Sequence, residues 1–332
     1  MSDGSDSAGS ATGYLEFIVK SAIAIAAVAA LFYFGKIRFD VLLPLTGHVR
    51  LLAITAILVF STLALAALRW QTLLAVQGVF LSYKQIYHIC AIGLFSGLYL
   101  PGIIGGDALR FFYLSAAVPR HRTIIAMTLL ADRLLGLAGL VFVAMAAIVL
   151  QWPVVTESPM MKSIAVVIIS GCSLAAILGG LAAIVADRLP IDDWKLHTRG
   201  VMLRLLGAMI NIIALFRRAP RAVSFAFLLS FIIQLCTAAA IALLADAMKL
   251  SPSIGPMQYA VAGSTALLAG AIPITPGGLG IGEGAFQALC RFISADTQAP
   301  FASAFFAFRC LTVIVLLSAI PSLILYKPRR SG

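Results

Sequence analysis

The sequence predicts an all-α, polytopic membrane protein. Of its 332 residues, 61% are hydrophobic and only 11% are charged, and the mean hydropathy is +1.04. Soluble domains carry about 25% charged residues, so an ordinary soluble fold is excluded. A helix needs about 20 apolar residues to cross a bilayer. Six full spans are predicted, at about 14–34, 51–68, 123–150, 162–186, 222–245 and 301–326.

Two further apolar stretches, about 85–116 and 257–293, are interrupted by helix-breaking residues. Proline removes a backbone donor and glycine frees the dihedrals, so a helix should break there. Broken backbone at bilayer depth is tolerated only where it is buried in protein or lines a cavity. We therefore expect two re-entrant or broken helical hairpins that line a site. The breaking residues are Pro101, Gly102, Gly105 and Gly106 in the first stretch, and Pro276, Gly277, Gly278, Gly280 and Gly282 in the second.

The two interrupted stretches indicate an internal duplication. Asp107 and Glu283 are separated by 176 positions, and so are Arg133 and Arg309. The same separation relates two glycines of the first stretch to two of the second. We expect a disordered tail over 1–13 and one transmembrane domain over 14–326. In that domain, repeat one covers about 14–150 and repeat two about 162–326.

The positions of the basic residues predict the orientation. The net charge of +11 does not indicate nucleic-acid binding, because the basic residues lie between apolar segments, where they report topology. The basic segments 110–122 and 187–221 and the C-terminal tail are predicted to be cytoplasmic, and the segment 151–161 external. Part of 187–221 has helical apolar spacing and is predicted to lie in the interface. Both termini are then cytoplasmic, in a plasma (inner) membrane. The first hairpin enters from the cytoplasm and the second from outside, as in the inverted-topology repeats of secondary transporters.

Five ionisable residues are the candidate substrate-binding or translocation residues: Asp107, Arg110, Arg133, Glu283 and Arg309. A charge near the bilayer centre costs about 2.5–3.5 kcal/mol, so these groups should be paired or lie in a wet cavity. Two interpretations stay open. The pairs could simply lock the two repeats together, or the arginines could bind an anionic headgroup through their planar forks. Asp132, beside Arg133, is expected to make only a local polar contact.

The glycines also have two interpretations. Their spacing is typical of close helix packing. Alternatively, the half-helix that follows each break directs its N–H groups and positive dipole end at an anion. A nucleotide site is excluded because no βαβ unit surrounds the glycines. No nucleophile–base arrangement occurs, so neither enzymatic activity nor a metal or cofactor is expected.

These motifs resemble the membrane domain of lysylphosphatidylglycerol synthases, a flippase-like family. The resemblance implies that a lipid is moved between leaflets. Bifunctional members continue into a soluble aminoacyl-transferase domain, whereas this sequence ends at Gly332, so we do not expect synthesis of lysylphosphatidylglycerol. The matching residues are Leu100-Pro101-Gly102, Gly105-Gly106-Asp107, Arg110, Asp132-Arg133-Leu134-Leu135-Gly136-Leu137, Thr275-Pro276-Gly277-Gly278-Leu279-Gly280 and Glu283-Gly284.

Three functional hypotheses follow. The first is a lipid translocator (flippase) for an anionic or phosphate-containing lipid, with the headgroup in a midplane site between the two hairpins. The second is an ion-coupled transporter of a small soluble anion. The third is a non-transporting membrane partner of a lipid-modifying transferase. Membrane lipids are the expected partners, and self-association stays open. The sequence does not define the lipid, the direction of transport or any ion coupling.

Overall fold

A computed structural model describes residues 43–97, 104–150, 219–270, 275, 278–294, 296 and 298–317, with Tyr33, Lys162, Ser163, Val166 and Ser170. Within these residues every regular element is a helix, which confirms the all-α prediction. The predicted tail, the loop 151–161, almost all of the spans at 14–34 and 162–186, and the basic segment as far as 218 lie outside them.

The helices occur in the following order. A 3-10 turn at Leu43–Gly47 precedes α1, and a second at Pro119–His121 precedes α4. The α-helices are α1 (Val49–Val76), α2 (Tyr83–Gly97), α3 (Ile104–Ala117), α4 (Arg122–Leu150), α5 (Pro220–Ala247), α6 (Pro256–Gly270), α7 (Ile281–Ser294) and α8 (Ala302–Leu317).

Among the described residues, three helical segments are long and apolar enough to cross a membrane: Val49–Val76, Pro119–Ala146 and Pro220–Ala247. They confirm the predicted spans at 51–68, 123–150 and 222–245. The shorter apolar helix α8 begins where the span at 301–326 was predicted, and residues beyond 317 lie outside the described part.

The predicted end of the second span is wrong. Helix α1 does not stop before Arg69 and Trp70 but continues to Val76. Gly78, two residues beyond the helix, has a φ of 76°, and the N–H of Val79 donates to the carbonyl of Leu74 at 3.0 Å. This is a glycine cap of a helix C-terminus. The predicted span stopped just before Arg69 and Trp70, but both side chains are buried.

Three successive helices in each predicted repeat have the same lengths. Helices α1 and α5 have 28 residues each, α2 and α6 have 15, and α3 and α7 have 14. The starts of α2 and α6 are also alike. Gln85 Oε1 accepts the N–H of Ser82 at 3.1 Å, and Gln258 Oε1 accepts the N–H of Gly255 at 2.9 Å. This is the order that a duplication predicts, and the opposite orientation of the two repeats stays a prediction.

The chain divides into two compact units, and each contains helices from both predicted repeats. The first unit contains α6, α7 and α8, with the parts of other helices inside Met1–Leu63, His88–Arg110 and Leu235–Lys327. The second unit contains α4, with the parts of other helices inside Ala64–Tyr87 and Phe111–Gln234. The compact packing therefore does not follow the boundary between the repeats.

In the first unit, aromatic side chains pack α6, α7 and α8 together. Phe286 of α7 stacks on Tyr259 of α6, with ring centroids 6.3 Å apart, and lies 5.5 Å from Phe305 of α8. Buried Gln287 fixes the turn before α8, because its amide donates to the Ala299 carbonyl and accepts the Ala302 N–H, both at 2.8 Å. These contacts hold α7 against α8 and so position the charged residues described below.

Candidate functional site: buried ion pairs beside the helix breaks

An acid and an arginine from α7 and α8 meet at the second break. Glu283, the third residue of α7, is fully buried, and its Oε1 lies 2.6 Å from Arg309 Nε. Its Oε2 accepts the N–H of Gly280 at 2.8 Å. The carboxylate therefore caps the N-terminus of α7 as the N3 residue of a capping box does. It also supplies an anion at the positive end of that helix.

Arg309 ties α8 to the backbone of the break. Its Nη2 donates to the carbonyl of Gly278 at 2.9 Å. Gly278 has a φ of 68°, and a Cβ there would overlap the carbonyl oxygen of Gly270 at the end of α6. At Gly282 a Cβ would lie only 2.9 Å from Arg309 Nη2. The glycines therefore allow the close approach of α6, α7 and α8 that brings Arg309 to the break.

The Arg309 side chain is 22% exposed, whereas its carboxylate partner is fully buried. Its guanidinium also lies 5.3 Å from the centre of the Phe305 ring. An arginine has five N–H donors in a planar fork that matches a phosphate group. The site thus contains a largely desolvated guanidinium. Glu283 and Gly278 fix its orientation, and one side of it is accessible.

The helices on either side of the first predicted break, α2 and α3, carry a different arrangement. Arg110 Nη1 lies 3.2 Å from Asp107 Oδ1, one turn away on α3, and Arg110 Nη2 donates to Cys90 Sγ of α2 at 3.5 Å. The Arg110 stem packs over Gly93, where a Cβ would overlap it. Asp107 is therefore paired within its own helix, whereas Glu283 is paired across to the next helix.

Arg133 lies in a different part of the fold from the other four candidate residues. It is exposed on α4, in the second unit, whereas Asp107, Arg110, Glu283 and Arg309 belong to the first. The structure thus brings together Asp107 with Arg110 and Glu283 with Arg309, and it places Arg133 on a separate helix surface.

Sequence reasoning missed a third buried ion pair. Arg69 Nε of α1 donates to Asp132 Oδ1 of α4 at 2.7 Å, and Arg69 Nη1 donates to Ser230 Oγ of α5 at 2.8 Å. The prediction of a local contact for Asp132 is wrong, because its partner is 63 positions away in the sequence. Arg69 was placed at a span end, and only the observed length of α1 shows that it lies inside a helix.

The remaining predicted backbone residues are partly described. Gly105 and Gly106 form the first turn of α3, and Gly280 precedes α7 with a φ of 82°. Pro101, Gly102, Pro276 and Gly277 lie outside the described residues. Within the described ranges, no three His, Cys, Asp or Glu side chains form a group that could hold a metal ion.

Comparison with known proteins identifies the family. No curated protein matches the chain. Residues 17–319 match the family described as "Lysylphosphatidylglycerol synthase TM region". The match covers nearly the whole chain, including every helix that the structure describes. The chain therefore belongs to the family of lysylphosphatidylglycerol synthase transmembrane regions.

Proposed function

We propose that the protein is a lipid translocator that moves an anionic or phosphate-containing lipid between leaflets. The observation that carries the proposal is the contact of Arg309 with both Glu283 and the Gly278 carbonyl at a helix break. Charged groups and unwound backbone at the centre of apolar helices are the usual components of a transporter site. Membership of a membrane lipid-related family supports a lipid as the substrate.

The proposed role of Arg309 is to receive the headgroup phosphate. Its bond to Glu283 keeps the cation neutralised while no substrate is bound, which lowers the cost of burying it. A phosphate that reaches the exposed side of the Arg309 guanidinium then binds the same cation that Glu283 binds. The two broken elements act as re-entrant hairpins around this site, and the acyl chains remain in the bilayer. Asp107 and Arg110 at the first break form the second polar wall.

The test is a leaflet assay in phosphatidylcholine liposomes that contain headgroup-labelled phosphatidylglycerol. The reconstituted wild-type protein should move label between leaflets faster than protein-free liposomes. Arg309→Gln should slow this by about tenfold or more, because a charge-assisted bond to phosphate is lost. The matched control is Lys84→Gln, since Lys84 is an exposed cation at the start of α2.

Two outcomes would contradict the proposal. One is a wild-type rate equal to that of protein-free liposomes, which would favour a non-transporting partner of a transferase. The other is uptake of inorganic phosphate by the same liposomes with no movement of lipid, which would favour a carrier of soluble anions. Glu283→Gln/Arg309→Gln serves as the folding control, because it removes both charges and leaves no unpaired buried ion.

We also propose a plasma-membrane location with both termini cytoplasmic. The basic segments 110–122 and 187–221 and the basic C-terminal tail support this orientation. A membrane-impermeant thiol reagent on intact cells tests it, with single cysteines placed at 157 and at 329 in a cysteine-free background. The cysteine at 157 should react from outside and the cysteine at 329 only after lysis. The reverse labelling pattern would show that the orientation is opposite to the proposed one.

A further inference from the structure

The α1–α2 turn, residues 77–82, doubles back against α1 before α2 begins. The N–H of Val79 donates to the Leu74 carbonyl at 3.0 Å, and the Leu81 carbonyl accepts a bond from Gln71 Nε2 at 2.9 Å. The turn therefore lies beside the last two turns of α1, between the levels of its two bonding partners. At 1.5 Å per residue, those levels are about 3–8 Å inside the end of α1.

This path leaves one large apolar side chain directed away from the protein. Phe80 is 81% exposed, whereas the neighbouring Val79 is 4% exposed. Both residues that flank Phe80 are bonded to α1 through their backbone. The exposed position of the Phe80 ring is thus set by the path of the backbone and is part of the fold.

Tyr83 fixes the start of α2 on the same side of α1. Its hydroxyl donates to the Ala64 carbonyl at 3.0 Å, while the residue remains exposed. Its ring centroid lies 6.1 Å from that of Tyr87, one helical turn further along α2. A tyrosine combines an apolar ring with a polar group that needs a hydrogen-bond partner when it leaves water. Here α1 supplies that partner, so the ring can face an apolar surrounding.

The neighbouring helices show where the turn lies relative to the ends of the membrane spans. Arg69 of α1 bonds Asp132 of α4 and Ser230 of α5. Both partners lie about 15 Å from the first residue of their helix, and Arg69 lies about 11 Å from the last residue of α1. The three helix ends therefore lie close to one level. Exposed Arg122 and Arg221 at the starts of α4 and α5 mark that level as the headgroup region.

The surface of the bilayer fits the turn better than a second protein does. A stable protein–protein interface buries about 800 Å² on each partner. The turn offers a single phenylalanine, and exposed Gly78 and Ser82 lie two residues before and after it. Apolar side chains of interfacial segments are buried about 5–10 Å into the boundary between headgroups and acyl chains. The level of the turn, slightly inside the helix ends, matches that boundary.

We propose that the α1–α2 turn is an interfacial anchor, with the Phe80 ring inserted at the boundary between headgroups and acyl chains. Its partner is the bilayer surface in general and no particular lipid. The anchor holds the place from which α2, about 22 Å long, leads to the first predicted break. This inference does not depend on the proposed transport, because it concerns only the contact of one turn with the bilayer.

Tryptophan quenching measures the depth of the turn. Phe80→Trp is reconstituted in phosphatidylcholine vesicles, and the fluorescence of the parent protein is subtracted. Bromine on the acyl chains near the headgroup should quench several-fold more than bromine near the chain ends, and iodide in the buffer should quench weakly. Leu235→Trp is the deep control, because Leu235 is 45% exposed near the middle of α5. Gln298→Trp is the aqueous control, in the exposed turn before α8.

Three outcomes would overturn the placement of Phe80. Iodide quenching as strong as that of Gln298→Trp would put the turn in water. Quenching by the deep bromine as strong as that of Leu235→Trp would put it in the bilayer interior. Quenching by neither bromine nor iodide would mean that protein, for example a second copy of this chain, covers the turn.

Anchoring is tested separately, by hydrogen exchange in lipid nanodiscs. Because Phe80 is so exposed, its removal acts mainly through its contact with the bilayer. In Phe80→Ser, the Val79 amide that bonds Leu74 should exchange several-fold faster than in the wild type. Phe80→Tyr keeps an aromatic ring and should preserve the wild-type rate, and the Ala302 amide of α8 should be unchanged in both variants. Equal exchange of the Val79 amide in Phe80→Ser and the wild type would show that the ring does not anchor the turn.

Discussion

Arg69 and Asp132, 63 positions apart in the sequence, form a buried ion pair with 2.7 Å between Nε and Oδ1. Ser230 takes a second hydrogen bond from the same guanidinium. The bonds join α1, α4 and α5 through buried polar atoms, and the same three helices also share a hydrophobic cluster of Leu73, Ala131, Leu135 and Ala226. Removing one member of such a pair leaves a buried charge with no counter-ion, and this asymmetry dominates its energetics.

Asp132→Ala should therefore destabilise the protein by about 3–5 kcal/mol. Thermal unfolding of the purified protein in detergent checks this, with Asp246→Ala as the control. Asp246 is exposed near the end of α5, so its loss should change stability by about 0.5 kcal/mol or less. Arg69→Met/Asp132→Leu should recover most of the loss. Equal effects of the Asp132 and Asp246 variants would mean that the pair contributes nothing.

Gly278→Ala should damage the second break. A Cβ there overlaps the Gly270 carbonyl, and the φ of 68° is strained for alanine. The free energy of unfolding should fall by about 1–3 kcal/mol because of backbone strain at this position. Gly284→Ala is the matched control on α7, because nothing lies within 4 Å of its added Cβ. It should stabilise the helix by about 0.5–1 kcal/mol. The prediction fails if the two variants melt at the same temperature.

Gln287→Leu should loosen the turn that leads into α8. The substitution removes the two hydrogen bonds to Ala299 and Ala302 and leaves both backbone groups unsatisfied in a buried place. The expected cost is about 1–3 kcal/mol. Hydrogen exchange should show faster exchange of the Ala302 amide, which donates to Gln287 in the wild type. Exposed Gln298 provides the control, and Gln298→Leu should leave that amide protected.

Arg309→Met should lower the free energy of unfolding more than the double variant Glu283→Gln/Arg309→Met does. The single change leaves the fully buried Glu283 carboxylate without its cation, which costs about 3–5 kcal/mol. In the double variant the glutamine oxygen can still accept the Gly280 N–H that Glu283 accepts now. Unfolding in detergent should rank the wild type first, the double variant next and Arg309→Met last. If the double variant is no more stable than Arg309→Met, the unpaired Glu283 carboxylate is not the reason why Arg309→Met loses stability.

The sequence was sufficient for features that depend on local composition and spacing. Three long apolar segments form helices as predicted, because about 20 consecutive apolar residues are the length that a helix needs to span a membrane. Glycines at 278 and 280 predicted a break, and both adopt positive φ there. The 176-residue relation drew attention to Glu283 and Arg309, whose side chains lie 2.6 Å apart in the structure, and their role in substrate binding stays a prediction.

Other features depended on partners that a sequence pattern does not show. Asp107 pairs with Arg110 within α3, although the duplication pointed to a relation like that of Glu283 and Arg309. The predicted span ended just before Arg69, but Arg69 lies inside α1, where Asp132 and Ser230 bond its guanidinium. Nothing local distinguishes a charge that ends a helix from one that is neutralised across two other helices.

By itself, the amino-acid sequence determined the membrane class, the break at Gly278 and Gly280, and which charges lie in apolar segments. These follow from hydropathy and backbone chemistry, which act over a few residues. The tertiary structure alone decided which acid holds which arginine, and that Asp132 faces inward while Arg133 faces outward. Those outcomes depend on helix rotation, which is set by close packing at glycines such as Gly139 and by pairing between residues far apart in the chain.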